Sequence, residues 1–383
     1  MHTLAMIGAV ALILIVLWDI FETIVLPRRV MRHIRLTGVV YQVTWAPWSA
    51  VGRKIGKADR RETFLSLYGP MALLLLLFVW AAGLIIGFAA AQWALGSHFI
   101  SVYGHYGFVT DLYVSGTTFF TLGLGDVAPD AGIARAVTVI EAGMGFGVLA
   151  LVIGYLPVLY QAFSRREVAI SLLDARAGSP PSAVELLRRH MRDFGVDALT
   201  TQLRDWEQWA AELMESQLSY PSLSYFRSQH ENQSWLAGLT TILDACALII
   251  VGVDGIPAQQ ARLTFAMARH AAVDLSQMSG TEPDMRCNTR LPDGDVARLR
   301  ELLEDAGAPL RAGAEADAKL TELRLLYEPY VFALSQRLLM ELPPWLPGED
   351  EVDAWRSSPW EFAPQSVQSL HITQLRTLEF EAR

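Results

Sequence analysis

Charge is scarce in this chain. Asp, Glu, Lys and Arg make up 19% of its 383 residues, against 52% apolar ones, where a soluble domain carries about 25% charged residues. With mean hydropathy at +0.27, the shortage excludes a disordered chain, which lacks the apolar surface to bury, and leans toward a membrane protein. Cysteine is nearly absent. Cys246 and Cys287 do not share a metal-ligand spacing, so neither a disulfide scaffold nor a zinc module is expected. The net charge of −9 argues against nucleic acid as a partner. No G-x-G-x-x-G follows a strand pattern, so a dinucleotide-binding domain is not expected. No Ser/His/Asp set can be proposed from spacing. The one adjacent His–acid pair, His230-Glu231, reads as a surface pair rather than a metal site. Neither an enzyme nor a resident cofactor is expected.

What is present divides unevenly. Residues 1–166 hold 12 Lys+Arg and 8 Asp+Glu, a net of +4; residues 167–383 hold 19 and 32, a net of −13. A membrane part followed by an acidic, soluble part is the expectation. Three stretches are long and apolar enough to cross a bilayer, which takes about 20 residues: Leu4 to Leu26, Tyr68 to Leu95 and Ile133 to Phe163. The first is not read as a signal peptide, because no Lys or Arg precedes it and no small-x-small site follows.

Loop charge sets the expected orientation. Arg28, Arg29, Arg32, Arg35, Arg53, Lys54, Lys57, Arg60 and Arg61 lie between spans one and two, and Arg165-Arg166 closes span three. The 96–132 loop has no Lys or Arg. Positive loops stay cytoplasmic. The N-terminus is therefore expected outside and the C-terminus inside, in the cell (inner) membrane of a multi-pass protein. Trp45 and Trp48 beside Arg53-Lys54 suit a segment lying along the inner headgroups, or an ordinary basic loop. Asp19 and Glu22, near the inner end of span one, are expected to pair with Arg28 or Arg29, although an acid in a span is often functional.

The outer loop carries the chemistry. Thr110 to Phe120 reads as a short helix, with Thr110 as N-cap and Asp111 in its first turn. It is too short to span, so it must enter and leave on one side, which is tolerated only where protein buries it or it lines a water-filled path. Then comes Thr121-Leu122-Gly123-Leu124-Gly125-Asp126. A dehydrated cation needs a ring of oxygens. Successive carbonyls face one axis only if alternate residues turn left-handed, which Gly123 and Gly125 do without steric cost. Thr121 adds a hydroxyl. One strand gives one oxygen per layer, so a fourfold ring needs four chains.

Pore helix, Thr-x-Gly-x-Gly-Asp and flanking spans resemble the pore module of potassium channels, of a bacterial type with an extra N-terminal span. Thr121, Gly123, Gly125 and Asp126 match that family's filter, while Leu122 replaces Val or Ile, Leu124 replaces Tyr or Phe, and Phe120 stands where many members have Thr. Leucine at the second position also occurs in the second pore repeat of some two-pore-domain channels. The resemblance covers about 68–164. It implies a homotetramer in a lipid bilayer, with permeating K+ held by the carbonyls of Thr121, Leu122, Gly123, Leu124 and Gly125 and the Thr121 hydroxyl. Asp126 and Glu141 would support the filter from behind. A Tyr at 124 could hydrogen-bond the pore helix; Leu can only pack, and Phe119 and Phe120 offer it an apolar surface. Gly143, Gly145, Gly147 and Pro157, with Gly154 nearby, are either gating hinges or small residues that allow close packing. Span one has no regularly spaced basic residues, so no voltage sensor is expected.

The expected fold class is an all-α membrane protein: 1–67 an N-terminal span and basic loop, 68–166 the pore module, 167–383 a helical cytoplasmic regulatory domain open to an unknown ligand. Its helices are expected at 182–194, 197–218, 233–252, 258–278, 293–306 and 315–342, broken by Pro and Gly, with a tail from Pro343 that wraps the domain or stays loose. Leu236 to Gly252 is apolar enough to raise a fourth span, but Asp244 at its centre favours a buried core helix. A weakly selective cation channel and a non-conducting receptor or scaffold are the alternatives.

Overall fold

The computed structural model describes residues 2–26, 35–101, 107–228, 233–286 and 290–346. Arg28, Arg29, Arg32, His230, Glu231, Cys287 and most of the tail after Pro343 therefore lie outside the described residues. The chain forms two compact units. One is Met1–Ser164 with Ser216–Arg227; the other is Arg165–Glu215 with Ser228–Arg383.

The first unit begins with α1 (His2–Ile20), ending in a π-turn, Phe21–Val25. Helices α2 (Leu36–Lys54) and α3 (Ala58–Ser66) occupy the basic loop, and α4 (Tyr68–Ala94) follows. Helix α1 packs on α4 through small residues: a Cβ at Gly83 would lie 2.9 Å from Val16, and one at Gly87 2.6 Å from Ile13. Such a small face lets helices approach where lipid offers no hydrophobic drive. Asp19 ties three elements together. Its carboxylate accepts from Trp80 Nε1 of α4 at 2.8 Å and from the Thr37 hydroxyl of α2 at 2.6 Å. Glu22 accepts from Trp18 Nε1 at 2.7 Å and lies 3.7 Å from Arg35. The partners of these two acids thus include polar groups of α2 and α4, which the expected pairing with Arg28 or Arg29 did not foresee.

After α4 come strand β1 (Phe99–Ser101), α5 (Phe108–Phe119), strand β2 (Val127–Pro129) and α6 (Gly132–Ala177). The strands pair antiparallel, Phe99 with Pro129 and Ser101 with Val127. This ladder had no period-two signal in the sequence, being only three residues long. Helix α6 does not end near Phe163. Its 46 residues, about 69 Å at 1.5 Å per residue, run well beyond a bilayer's thickness. The Pro157 within it leaves the helix unbroken.

The second unit contains α7 (Ala183–Arg189), most of α8 (Val196–Ser219), and α9 (Trp235–Gly252), α10 (Ala258–Met278), α11 (Asp293–Asp305), α12 (Ala314–Leu325) and α13 (Glu328–Leu338). The expected single helix 315–342 is two, because the chain turns at Leu326-Tyr327 to bury Tyr327 completely. Helix α9 is capped by Ser234, whose hydroxyl accepts from the Ala237 amide at 3.0 Å. It is the core of this unit, buried nearly all round, and α7, α10, α12 and α13 pack against it. Its one acid is neutralised there. Arg290 reaches Asp244 at 2.7 Å and Glu328 at 2.9 Å, and the Tyr327 hydroxyl donates to Asp244. Burial alone would pull the Arg290 guanidinium down, but Asp244 and its neighbours hold it above its ordinary range. Arg290 and Arg324 each lie 5.6 Å from the ring of buried Trp345, so the start of the tail, at least to Trp345, is fastened to the domain.

Candidate functional site: a re-entrant helix and its glycine strand

Helix α5 starts at Phe108 with Gly107 as its cap residue. Thr110 is therefore inside the helix rather than at its N-cap, because the helix begins three residues earlier than the side-chain capping signal suggested. Asp111 does fall in the first turn, fully buried, and accepts from the Ser97 hydroxyl at 2.7 Å. An acid there suits the positive end of the helix dipole.

At the other end, α5 closes on its own carbonyls. The amides of Phe120, Thr121 and Leu122 donate to Gly116, Thr118 and Thr117 at 3.1, 3.0 and 2.7 Å. The backbone then alternates. Thr121, Gly123 and Gly125 have φ of +57°, +55° and +78°, while Leu122 and Leu124 between them are not left-handed. The two glycines adopt what only glycine takes freely. Thr121 adopts it too, at a cost of about 1–2 kcal/mol for a residue with a Cβ. That third left-handed position was not anticipated, since a threonine gives no signal for it.

Side chains around the strand hold it from several elements. The Tyr113 hydroxyl of α5 donates to Asp126 at 3.0 Å. Sequence reasoning looked for such a brace at position 124 and missed its presence on the helix; the spacing of thirteen residues across an irregular loop carries no periodic cue. Glu141 of α6 is buried and hydrogen-bonded to the Ser115 hydroxyl of α5, which also lies 2.8 Å from the Ile85 carbonyl of α4. So Glu141 joins α6 to α5, and Ser115 carries the link on to α4. Gln92 of α4 donates to Ala134 O and Thr138 Oγ1 of α6 at 3.1 and 3.2 Å. The strand's exit is pinned by the β1–β2 ladder, which begins at Val127, directly after Asp126.

The glycines of α6 separate into kinds. A Cβ at Gly145 would overlap the carbonyl oxygen of Phe119, at the end of α5. Gly145 is thus required for the close approach of α6 to α5. Gly143, Gly147 and Gly154 meet nothing within 4 Å. Leu122, Leu124 and Phe120 are 61%, 63% and 61% exposed, so this single chain supplies no wall for them; Phe119 alone of that apolar group is buried. No group of three or more His, Cys, Asp or Glu that could hold a metal occurs among the described residues.

A short helix, a strand with left-handed turns at Thr121, Gly123 and Gly125, and two flanking apolar helices are the parts of an ion-channel pore module. The comparison with protein families agrees: residues 74–161 match the family described as "Ion channel". No curated protein and no solved structure matches the chain.

Proposed function

We propose that the protein is a homotetrameric, potassium-selective channel of the cell (inner) membrane, N-terminus outside and C-terminus cytoplasmic. K+ would pass by passive permeation through the carbonyls of Thr121, Leu122, Gly123, Leu124 and Gly125, with Asp126 and Glu141 as supports. The observation that carries the reading is the left-handed alternation at Thr121, Gly123 and Gly125. Such an alternation would turn successive carbonyls toward one side, and one strand per chain would then call for four chains around an axis. The exposed Leu122, Leu124 and Phe120 supply the apolar surface that neighbouring copies would cover. The acidic helical unit would set open probability through α6, with Gly143, Gly147 and Pro157 as hinge positions and Gly145 as packing contact.

A weakly selective cation channel is the second reading, favoured by leucine at 124, which cannot hydrogen-bond the pore helix. Reversal potential of the purified protein under mixed Na+ and K+ decides between them. Potassium preference is expected; equal permeability would install the second reading. Absence of thallium flux into proteoliposomes would instead leave a membrane scaffold. Native mass measurement is expected to give a tetramer, and a stable dimer would sink the fourfold ring.

A further inference from the structure

One segment of the second half of the chain is folded into the first unit. Ser216–Arg227 leaves α8, passes through a 3-10 turn at Pro221–Tyr225, and joins the membrane helices. Its residues are not loosely placed. Leu223 and Phe226 are buried in one core with Leu73 of α4 and Tyr155, Leu159 and Ala162 of α6. The last three lie at i, i+4 and i+7, one stripe of the helix. Phe226 occupies the space left by the missing side chain at Gly69, where a Cβ would come within 2.7 Å of its ring. Tyr220 meets Tyr155 edge-on at 5.6 Å, and Phe226 lies 5.7 Å from Phe163. Tyr225 stacks on Tyr41 of α2 at 5.6 Å and contacts Trp45 and Tyr68 at 5.1 Å each. Arg227 closes the segment with both Glu62 oxygens at 2.9 Å.

Gly154, Pro157 and Val158, on the rest of that α6 turn, are exposed. The segment therefore grips one face of the inner helix across its Pro-containing stretch and fastens it to α2, α3 and α4. The chain continues from both ends of the segment into the second unit, at Glu215 and Ser228. We propose that Ser216–Arg227 is a clasp that transmits the state of the second unit to the inner pore helix at Tyr155–Phe163, in addition to the direct connection through α6. The proposal rests on the channel reading for its functional consequence, but the grip itself can be tested apart from conduction.

The experiment uses the full-length protein. In planar bilayers, Phe226→Ala removes the ring that fills the Gly69 gap, and open probability should change at least tenfold while the K+/Na+ reversal potential stays as in the parent. Glu62→Gln, at a half-exposed position, should change it in the same direction by less, and the charge-exchanged pair Glu62→Arg with Arg227→Glu should restore part of the parent value. Amide hydrogen exchange in detergent gives the conduction-free arm: Phe226→Ala should speed exchange across 153–163 and leave α9 protected. Unchanged exchange there, or unchanged open probability in a folded, conducting variant, would overturn the clasp. A parent protein that conducts nothing, together with faster exchange in the variant, would keep the clasp and reject the channel reading.

Discussion

Helices α6 and α9 are both long and apolar enough to cross a membrane, yet they end in opposite circumstances. The most apolar window of α6 is 11% buried within the chain, and that of α9 is 89% buried. Helix α9 has its solvent supplied by its own sequence: α7, α10, α12 and α13 wrap it, and Arg290 brings a counter-charge to Asp244. Helix α6 spends its apolar faces on lipid and, in the proposed tetramer, on other copies. Its one buried acid in the span, Glu141, is satisfied by a hydroxyl rather than a cation. Apolar length alone does not make a span. The helices before and after it in the chain decide whether there is anything to cover it.

This contrast can be broken from the α9 side with the largest effect. Asp244→Ala would leave Arg290 buried with Glu328 as its remaining carboxylate partner, and breaking such a pair costs about 3–5 kcal/mol. Denaturation of the second unit should move accordingly, whereas Tyr327→Phe, which deletes one hydrogen bond to a charged group, should cost about 1.5–3 kcal/mol. An unaltered melt for Asp244→Ala would mean that α9 is not held as a covered core helix.

On the α6 side, Gly145→Ala forces a methyl into the Phe119 backbone, and overpacking of this kind costs about 1–3 kcal/mol. Gly143→Ala and Gly147→Ala should be milder for assembly, because they meet no atom of their own chain. Heat stability of the purified assembly reads the difference; a silent Gly145→Ala with gating lost at 143 or 147 would move the whole cluster to the hinge reading. Gly125→Ala places a Cβ at φ +78°, at about 1–2 kcal/mol of strain. On the proposed channel reading, current should disappear while the protein still folds, and persistent current would remove the left-handed alternation from the mechanism. The smallest expected effect is Tyr113→Phe. It deletes one partly exposed hydrogen bond to Asp126, about 0.5–1.5 kcal/mol, and should speed inactivation at low external K+ without altering the sign of selectivity.

Much of the pore was legible because its signals are local. Apolar runs of the right length mark α1, α4 and α6, and glycines at alternate positions mark the strand. Proline and glycine punctuation placed α8, α9, α10 and α11 within two residues of their observed ends. The end of α6 was not legible, since Arg165-Arg166 marks where lipid stops and carries no helix-breaking signal. Thr121 was likewise silent, because its left-handed turn is imposed by the hydrogen bonds that close α5.

The sequence by itself determined the membrane character, the short helix α5 and the glycine strand after it, each through length, periodicity or a residue with special backbone freedom. Tertiary structure alone decided which polar groups satisfy one another and which segment lies against which. Tyr113 with Asp126, Ser115 with Glu141 and Asp244 with Arg290 lie 13, 26 and 46 residues apart. Arg227 meets Glu62 across 165 residues. No repeat links such positions. What selects the buried ones, Ser115 with Glu141 and Asp244 with Arg290, is the cost of leaving a buried charge or hydroxyl unpaired, and that cost exists only once the helices have met.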